Sequence, residues 1–219
     1  MRVSSSDTIN SEISKVNYCI SNGMPYEHVL QGPTPENRDL VKEITLAYLK
    51  QIGIEKSYNL VCLCLEEIIS NSVKANIKRA YFLSNNLDIT NSEDYAKGMK
   101  DFKENGICNM RAPSFIQKIN ELGLYVKITY KIEEGCLYIT TRNNSVISKE
   151  EIDRIDKKLK LSENKSSEEI FMNSIDLTEG AGLGIIMITK IMTQISKLKE
   201  CFNIRANDTE TITELKILP

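Results

Sequence analysis

In the first half of the chain, apolar residues recur every three to four positions, as they do on one face of a helix. This spacing predicts four helices, over residues 34–52, 58–82, 92–103 and 113–122. The second of these has the most regular pattern in the chain. Residues 1–33 are interrupted by glycine and proline, so short or irregular structure is expected there.

After residue 124 the apolar period changes from that of a helix to that of a strand. Residues 125–132 alternate and are rich in β-branched and aromatic side chains, and 136–141 follow after a Glu-Glu-Gly turn, so an antiparallel hairpin is predicted. A capping box at residues 148–151 predicts a helix to about Lys160. A polar segment follows, which we expect to be mobile, and then come a helix and two strands, over residues 183–195, 201–205 and 211–218.

The order of these elements favours one antiparallel or mixed sheet covered by helices on one face. We therefore expect an α/β fold, a two-layer α/β sandwich. At roughly 150 residues per domain, 219 residues make one domain with an extension. We place an N-terminal helical extension at residues 1–56 and the main domain at residues 57–219.

Composition excludes several classes of protein. Lysine and arginine total 28 against 30 aspartates and glutamates, and this balance argues against a nucleic-acid partner. No apolar stretch approaches the roughly 20 residues of a membrane span, and residues 1–15 lack the apolar core of a secretory signal. We expect a cytoplasmic protein without a membrane segment.

Six scattered cysteines and a single histidine, His28, leave few options for metal or nucleophilic catalysis. There is no Cys-x-x-Cys pair, so a zinc site is not expected, and the cysteines are interpreted as reduced core residues. A Ser-His-Asp or Cys-His hydrolase is also disfavoured by the one histidine.

One candidate site lies on the second predicted helix. At about 100° per residue, Glu67, Asn71, Lys74 and Lys78 share one face. A carboxylate one turn before an amide places a base beside an oxygen ligand, and Mg²⁺ prefers such oxygens together with water and phosphate. The alternative is an amphipathic helix whose polar face is only solvated.

A second candidate site is the sequence Gly180-Ala181-Gly182-Leu183-Gly184, which runs directly into an apolar helix. Such a loop lets backbone N–H groups approach an anion, and the helix N-terminus adds a favourable dipole. A plain turn is the alternative.

Together these motifs resemble the GHKL superfamily of nucleotide-binding domains, and most closely the catalytic domains of bacterial sensor histidine kinases and anti-sigma-factor kinases. Glu67-x-x-x-Asn71 is similar to the N box, and residues 180–184 to the G2 box. The resemblance covers roughly residues 34–219. It implies a histidine-kinase-like ATPase fold that binds ATP and Mg²⁺, with a lid over about residues 148–179.

The resemblance also implies a role for each matching residue. Asn71 would hold Mg²⁺ and Glu67 would act as the general base, while Lys74 or Lys78 would neutralise phosphate charge. Residues of the G2 box would contact the phosphates; these are Gly180, Gly182, Leu183 and Gly184.

The third family motif, Asp-x-Gly-x-Gly after a strand, is altered in this chain. Asn143 stands at the position of the aspartate, which in the family accepts a hydrogen bond from the adenine amino group. Ser145 and Ile147 replace the two glycines. An asparagine oxygen still accepts a hydrogen bond, but without the charge. A β-branched side chain at 147 would resist positive φ and crowd the base.

The sequence leaves two functions open. In the first, the chain is an ATP-binding signalling protein that transfers phosphate to a partner or hydrolyses ATP. His28 lacks the flanking pattern of a phospho-accepting histidine, so the acceptor would belong to another protein. In the second, the chain is an inactive interaction module for a response regulator, a kinase or a sigma-type factor. The helices before Ser57 are a candidate homodimer contact, or they cover the sheet.

Overall fold

A computed structural model of the protein describes residues 5–30, 34–102, 113–145, 147, 149–164 and 183–219. In this part of the chain the helices are α1 Ser5–Ser21, α2 Pro35–Gln51, α3 Tyr58–Ser84, α4 Ser92–Asp101, α5 Pro113–Glu121, α6 Lys149–Asn164 and α7 Leu183–Ile195. The strands are β1 Tyr26–Leu30, β2 Val126–Glu133, β3 Cys136–Asn143, β4 Phe202–Ala206 and β5 Thr211–Ile217.

The five strands form one sheet in the order β1-β2-β3-β5-β4. Each neighbouring pair is antiparallel, so the described sheet contains no parallel pair and is not of the mixed type that we allowed for. The predicted hairpin is present, and Glu133 pairs with Cys136 at its closed end. Glu134 and Gly135 both have positive φ, as a two-residue hairpin turn of type I′ requires.

Helices cover one face of this sheet. Along β3, Leu137, Ile139 and Thr141 are buried, whereas the intervening Tyr138 and Thr140 remain partly exposed. Helices α3 and α7 pack on the strands, and α2 packs beside α3. The expected α/β fold is therefore confirmed for the described residues, and their arrangement is compatible with a two-layer sandwich.

One hydrophobic core joins both layers. Its residues come from both sides of position 57, including Val16 of α1, Ile44 of α2 and Ile128 of β2. The rings of Tyr48 and Tyr130 stack with centroids 5.1 Å apart, and Thr45 Oγ1 lies 3.0 Å from the Tyr130 hydroxyl. Segment 1–56 thus shares its core with segment 57–219.

One local expectation was wrong. Residues 5–30 form a regular helix and an edge strand rather than irregular structure. Ile9, Ile13, Val16 and Ile20 recur at helical spacing and pack into or against the core, so the sequence does contain this apolar face among its polar neighbours. Helix α6, expected to end at about Lys160, continues to Asn164 and so includes the first four residues of the polar segment 161–167 that we expect to be mobile; residues 165–167 lie outside the described residues.

None of the described helices is both long and apolar enough to cross a lipid bilayer.

Candidate functional site

The candidate site is built around α3, which carries the four polar residues singled out in the sequence. They occupy one stripe of the helix but differ in burial: Asn71 and Lys74 are exposed, Glu67 is half-buried, and Lys78 is only 8% exposed. The opposite side of the helix, including Leu65 and Ile68, packs into the core. Because these apolar residues hold α3 in one rotational orientation against the core, they determine that the polar stripe faces the site.

Glu67 and Asn71 form a direct contact on this stripe. The Asn71 amide Nδ2 donates a 2.9 Å hydrogen bond to Glu67 Oε1. Because the nitrogen of the amide is engaged, Asn71 Oδ1 is the atom left to accept a hydrogen bond or to ligate a cation. The pair thus combines a carboxylate base with an adjacent oxygen ligand.

The start of α7 lies against the same carboxylate. Leu183 and Gly184 are its first two residues, and Leu183 is 41% exposed. A β-carbon at Gly184 would overlap the side chain of Glu67, so glycine is the residue that permits this close approach. The helix N-terminus, with its partial positive charge, is thereby brought to Glu67. Gly180 and Gly182 lie outside the described residues.

Lys78 does not stand free beside these groups. Its ammonium forms an ion pair with Glu151 in the first turn of α6. Both side chains are largely buried, with 10% and 23% exposure. Lys78 is eleven residues from Glu67, which is about 16 Å along a helix axis, so it lies at the opposite end of the stripe.

Asn143 occupies the last position of β3, opposite Val126 and Thr211 in the sheet register. It is 3% exposed, and its Nδ2 has no hydrogen-bond partner among the described residues. A buried donor left without an acceptor is costly, and its presence calls for an explanation such as a bound group.

A hydrogen-bond network that we did not foresee connects the altered third motif to α3. The Ser145 hydroxyl donates a 2.6 Å bond to Asn76 Oδ1, and Asn76 Nδ2 donates a 2.9 Å bond to the carbonyl of Tyr125. Thr211 Oγ1 donates to the Ser145 carbonyl at 2.9 Å. Ser145 therefore supplies a polar tether where the resembled family has a glycine.

Asn144 completes this tether. Its Oδ1 accepts from the Tyr125 backbone N–H at 2.7 Å, and its Nδ2 donates to the Gly123 carbonyl at 2.9 Å. The end of β3 is thus fixed both to α3 and to the segment entering β2. Ile147, the second glycine replacement, is half-buried.

The contacts of the three motifs are spread along α3. Gly184 meets Glu67 at one point, and Ser145 meets Asn76 nine residues later, which is about 14 Å along the axis. Nine residues are also about two and a half turns, so Asn76 and Ser145 lie on the side of α3 opposite to Glu67 and Gly184.

A cavity of about 580 Å³ adjoins the first of these points, a volume typical of small-molecule sites. Glu67 and Lys74 line it, as do Arg38 of α2 and Met187, which lies one turn beyond Gly184 in α7. Apolar residues of α3 such as Val73 form much of its wall. Asn71, Lys78 and Asn143 are not among its lining residues.

The described residues contain no group of three or more histidine, cysteine or acidic side chains placed to hold a metal ion. Free thiols occur at five described cysteines, four of them buried, and burial raises the pKa of Cys64 to about 12. The finding on metal sites applies only to the described residues. The buried thiols among them behave as unreactive core groups.

No protein-family model matches the chain, and no solved structure matches it. An uncharacterized protein of Treponema pallidum (strain Nichols) is 28% identical over 185 residues, which cover 84% of the chain. The match covers 36% of that protein, so the chain spans little more than a third of the length of this relative.

Proposed function

We propose that the chain binds Mg-ATP along α3, between the start of α7 and the end of β3, as a signalling protein similar to histidine-kinase catalytic domains. The contact between Glu67, Asn71 and Gly184 carries this proposal. It brings together a base, an oxygen ligand and a helix N-terminus that come from two sequence motifs more than a hundred residues apart.

The donor set fits a magnesium nucleotide. Mg²⁺ is usually bound through one or two protein carboxylates together with water and phosphate oxygens, so Asn71 and the neighbouring Glu67 would supply the protein oxygens and the nucleotide phosphates most of the rest. Lys74, exposed at the edge of the cavity, would neutralise phosphate charge. Gly180 and Gly182 would add backbone N–H donors to the phosphates, as the motif predicts.

The bound nucleotide would supply the phosphoryl group, and catalysis of its transfer is chiefly positioning and charge neutralisation. Glu67 would orient or deprotonate the acceptor, a hydroxyl or imidazole of a partner protein or a water molecule. The hydrogen bond from Asn71 fixes the rotamer of Glu67 for that role. At the other end of α3, Asn143 would read the base.

A second candidate function is an inactive interaction module for a response regulator, a kinase or a sigma-type factor. It is favoured by the engagement of Lys78 with Glu151 and by the tether between Ser145 and Asn76. In each case a contact within the chain occupies a position at which the resembled family contacts the nucleotide. In this alternative the fold serves as a docking surface, and the chain would carry out no phosphoryl transfer.

Thermal unfolding in the presence of Mg-ATP separates the two functions. Ligand at 100 times its Kd adds about 2.7 kcal/mol to the free energy of unfolding. Nucleotide binding predicts a rise in Tm that depends on both ATP and Mg²⁺. An unchanged Tm at millimolar Mg-ATP, in a cooperatively folded protein, would support the interaction module instead.

A further inference from the structure

The cavity beside Glu67 extends along the side of α3 that faces α2, where the nucleotide proposal places no ligand. Its walls there are aliphatic side chains of β1, α2 and α3, namely Leu30, Val41, Leu65, Ile69, Val73 and Ile77. Leu30, Val41 and Leu65 also belong to the main core, so close packing holds this wall in place. A preformed apolar cavity of this kind is typical of sites that bury the apolar part of a small molecule.

The charged side chains that line this cavity are unequally paired. Three are cations and two are carboxylates, so the lining carries one net positive charge. Lys42 and Glu66 form an ion pair of 2.9 Å between α2 and α3, and Glu67 accepts a hydrogen bond from a side-chain amide. Arg38 and Lys74 form no ion pair within the described part of the chain. Both carboxylates are therefore engaged, whereas two cations remain available to a ligand.

An apolar wall next to available cations favours a ligand with an apolar body and one negative end. The guanidinium of Arg38 matches a carboxylate, since it can donate two parallel hydrogen bonds to it. A single negative charge also balances the net charge of the lining, and a cationic ligand would be repelled by Arg38 and Lys74. Lys74 belongs to the proposed nucleotide site as well, but Arg38 does not.

We propose that this cavity binds a small amphipathic carboxylate, with the chemistry of a medium-chain fatty acid. The carboxylate lies at Arg38, and the apolar chain lies against Val41, Leu65 and Val73. This site is separate from the nucleotide function and does not rest on it, since Asn71 does not line the cavity and takes no part.

Calorimetric titration of the intact chain with decanoate, below its critical micelle concentration and without nucleotide, tests the proposal. Decanoate should bind, and octanoate should bind about 3- to 15-fold more weakly. The upper figure corresponds to full burial of the two additional methylenes at about 0.8 kcal/mol each. Octylamine has the same chain length as octanoate but the opposite charge, so it should bind at least about fivefold more weakly than octanoate.

Two variants test the two ends of the ligand. Arg38→Gln should weaken decanoate binding about three- to fivefold, the upper range for an exposed ion pair. Arg205→Gln removes a second exposed arginine, on β4, and should leave the affinity unchanged as the matched control. Ser70 is half-buried and lines the cavity, so the ring of Ser70→Phe should occupy part of it and weaken decanoate binding at least about tenfold.

The outcomes bear on this site alone. A folded wild-type chain that does not bind decanoate overturns the inference, whether or not it binds Mg-ATP. Octylamine that binds as tightly as octanoate would overturn it too, as would an unchanged affinity for decanoate in Arg38→Gln. Because Arg38 is exposed, Arg38→Gln should fold normally, and it decides the question if Ser70→Phe does not fold.

Discussion

Gly184 lies against the side chain of Glu67, so closely that a β-carbon at residue 184 would overlap the carboxyl group. The two residues are 117 positions apart in sequence, and their contact joins the start of α7 to the middle of α3. It is the point at which the two motifs of the candidate site meet.

Gly184→Ala should therefore disturb the site although alanine is the better helix former. The new methyl group would force Glu67 out of its rotamer and away from Asn71, at a cost of about 1 kcal/mol, the low end of the range for overpacked positions, because Glu67 is a flexible and half-buried side chain. We expect a lower free energy of unfolding in urea and a weaker affinity for Mg-ATP.

The control for this prediction is the double variant Gly184→Ala with Glu67→Ala. Truncating Glu67 makes room for the methyl group, so the double variant should recover most of the stability lost by Gly184→Ala. Additive losses in this double-mutant cycle would mean that the two side chains do not compete for the same space.

The ion pair between Lys78 and Glu151 should contribute to stability. Glu151→Ala leaves the ammonium of Lys78 buried without this partner, and we expect a loss of about 1–3 kcal/mol, less than for a fully buried pair because Glu151 is 23% exposed. Urea unfolding measures the effect. Replacing both residues together, as Lys78→Met with Glu151→Leu, should restore stability; a double variant as unstable as Glu151→Ala would contradict this account.

Ser145→Ala should loosen the end of β3. It removes the 2.6 Å bond to Asn76 and leaves the buried Oδ1 of Asn76 unsatisfied, at a cost of about 1–3 kcal/mol. Ser14→Ala is the matched control, since its hydroxyl also donates a hydrogen bond but on the exposed surface of α1. The control should change stability by less than about 0.5 kcal/mol. Equal losses from the two substitutions would show that burial of the Ser145 contact is unimportant.

His28 should make stability depend on pH. Burial lowers the pKa of His28 below its ordinary value of 6.5, and the charge of Glu12 opposes this only in part. Below that value the unfolded chain takes up a proton that the folded chain resists, so the free energy of unfolding falls as the pH decreases through about 6.5.

Urea unfolding at about pH 7.5 and about pH 5.5 tests this dependence, because carboxylates titrate mostly below that window. His28→Gln, which has no titratable group, should flatten the curve between the two values. A slope that persists unchanged in the variant would assign the pH dependence to other groups.

Local patterns were sufficient to predict most elements of this fold. The alternation in residues 125–141 predicted the β2–β3 hairpin, and the apolar spacing from residue 58 predicted α3. These segments bury one consistent face, so their period can be read without tertiary information. The helical spacing of residues 67, 71, 74 and 78 likewise placed the four polar residues on one stripe.

The contacts between elements were not accessible in the same way. The tether from Ser145 to Asn76 joins residues 69 positions apart, and no local period encodes such a pair. The partner of Lys78 depends on how α6 packs against α3. The spacing of Lys78 from Glu67 and Asn71 in the sequence therefore indicated only that the three residues share a helix face. The edge strand β1 escaped prediction because His28 lies on the core-facing side of a strand of only five residues.

Calorimetric titration of the purified chain with Mg-ATP, alongside Asn71→Ala, tests the central claim most directly. Asn203→Ala, an exposed asparagine of β4, is the matched control. The account predicts Mg²⁺-dependent binding that is retained in Asn203→Ala and lost or weakened at least about tenfold, some 1.4 kcal/mol, in Asn71→Ala. Absence of binding to the folded wild-type protein, or equal binding by Asn71→Ala, would contradict it.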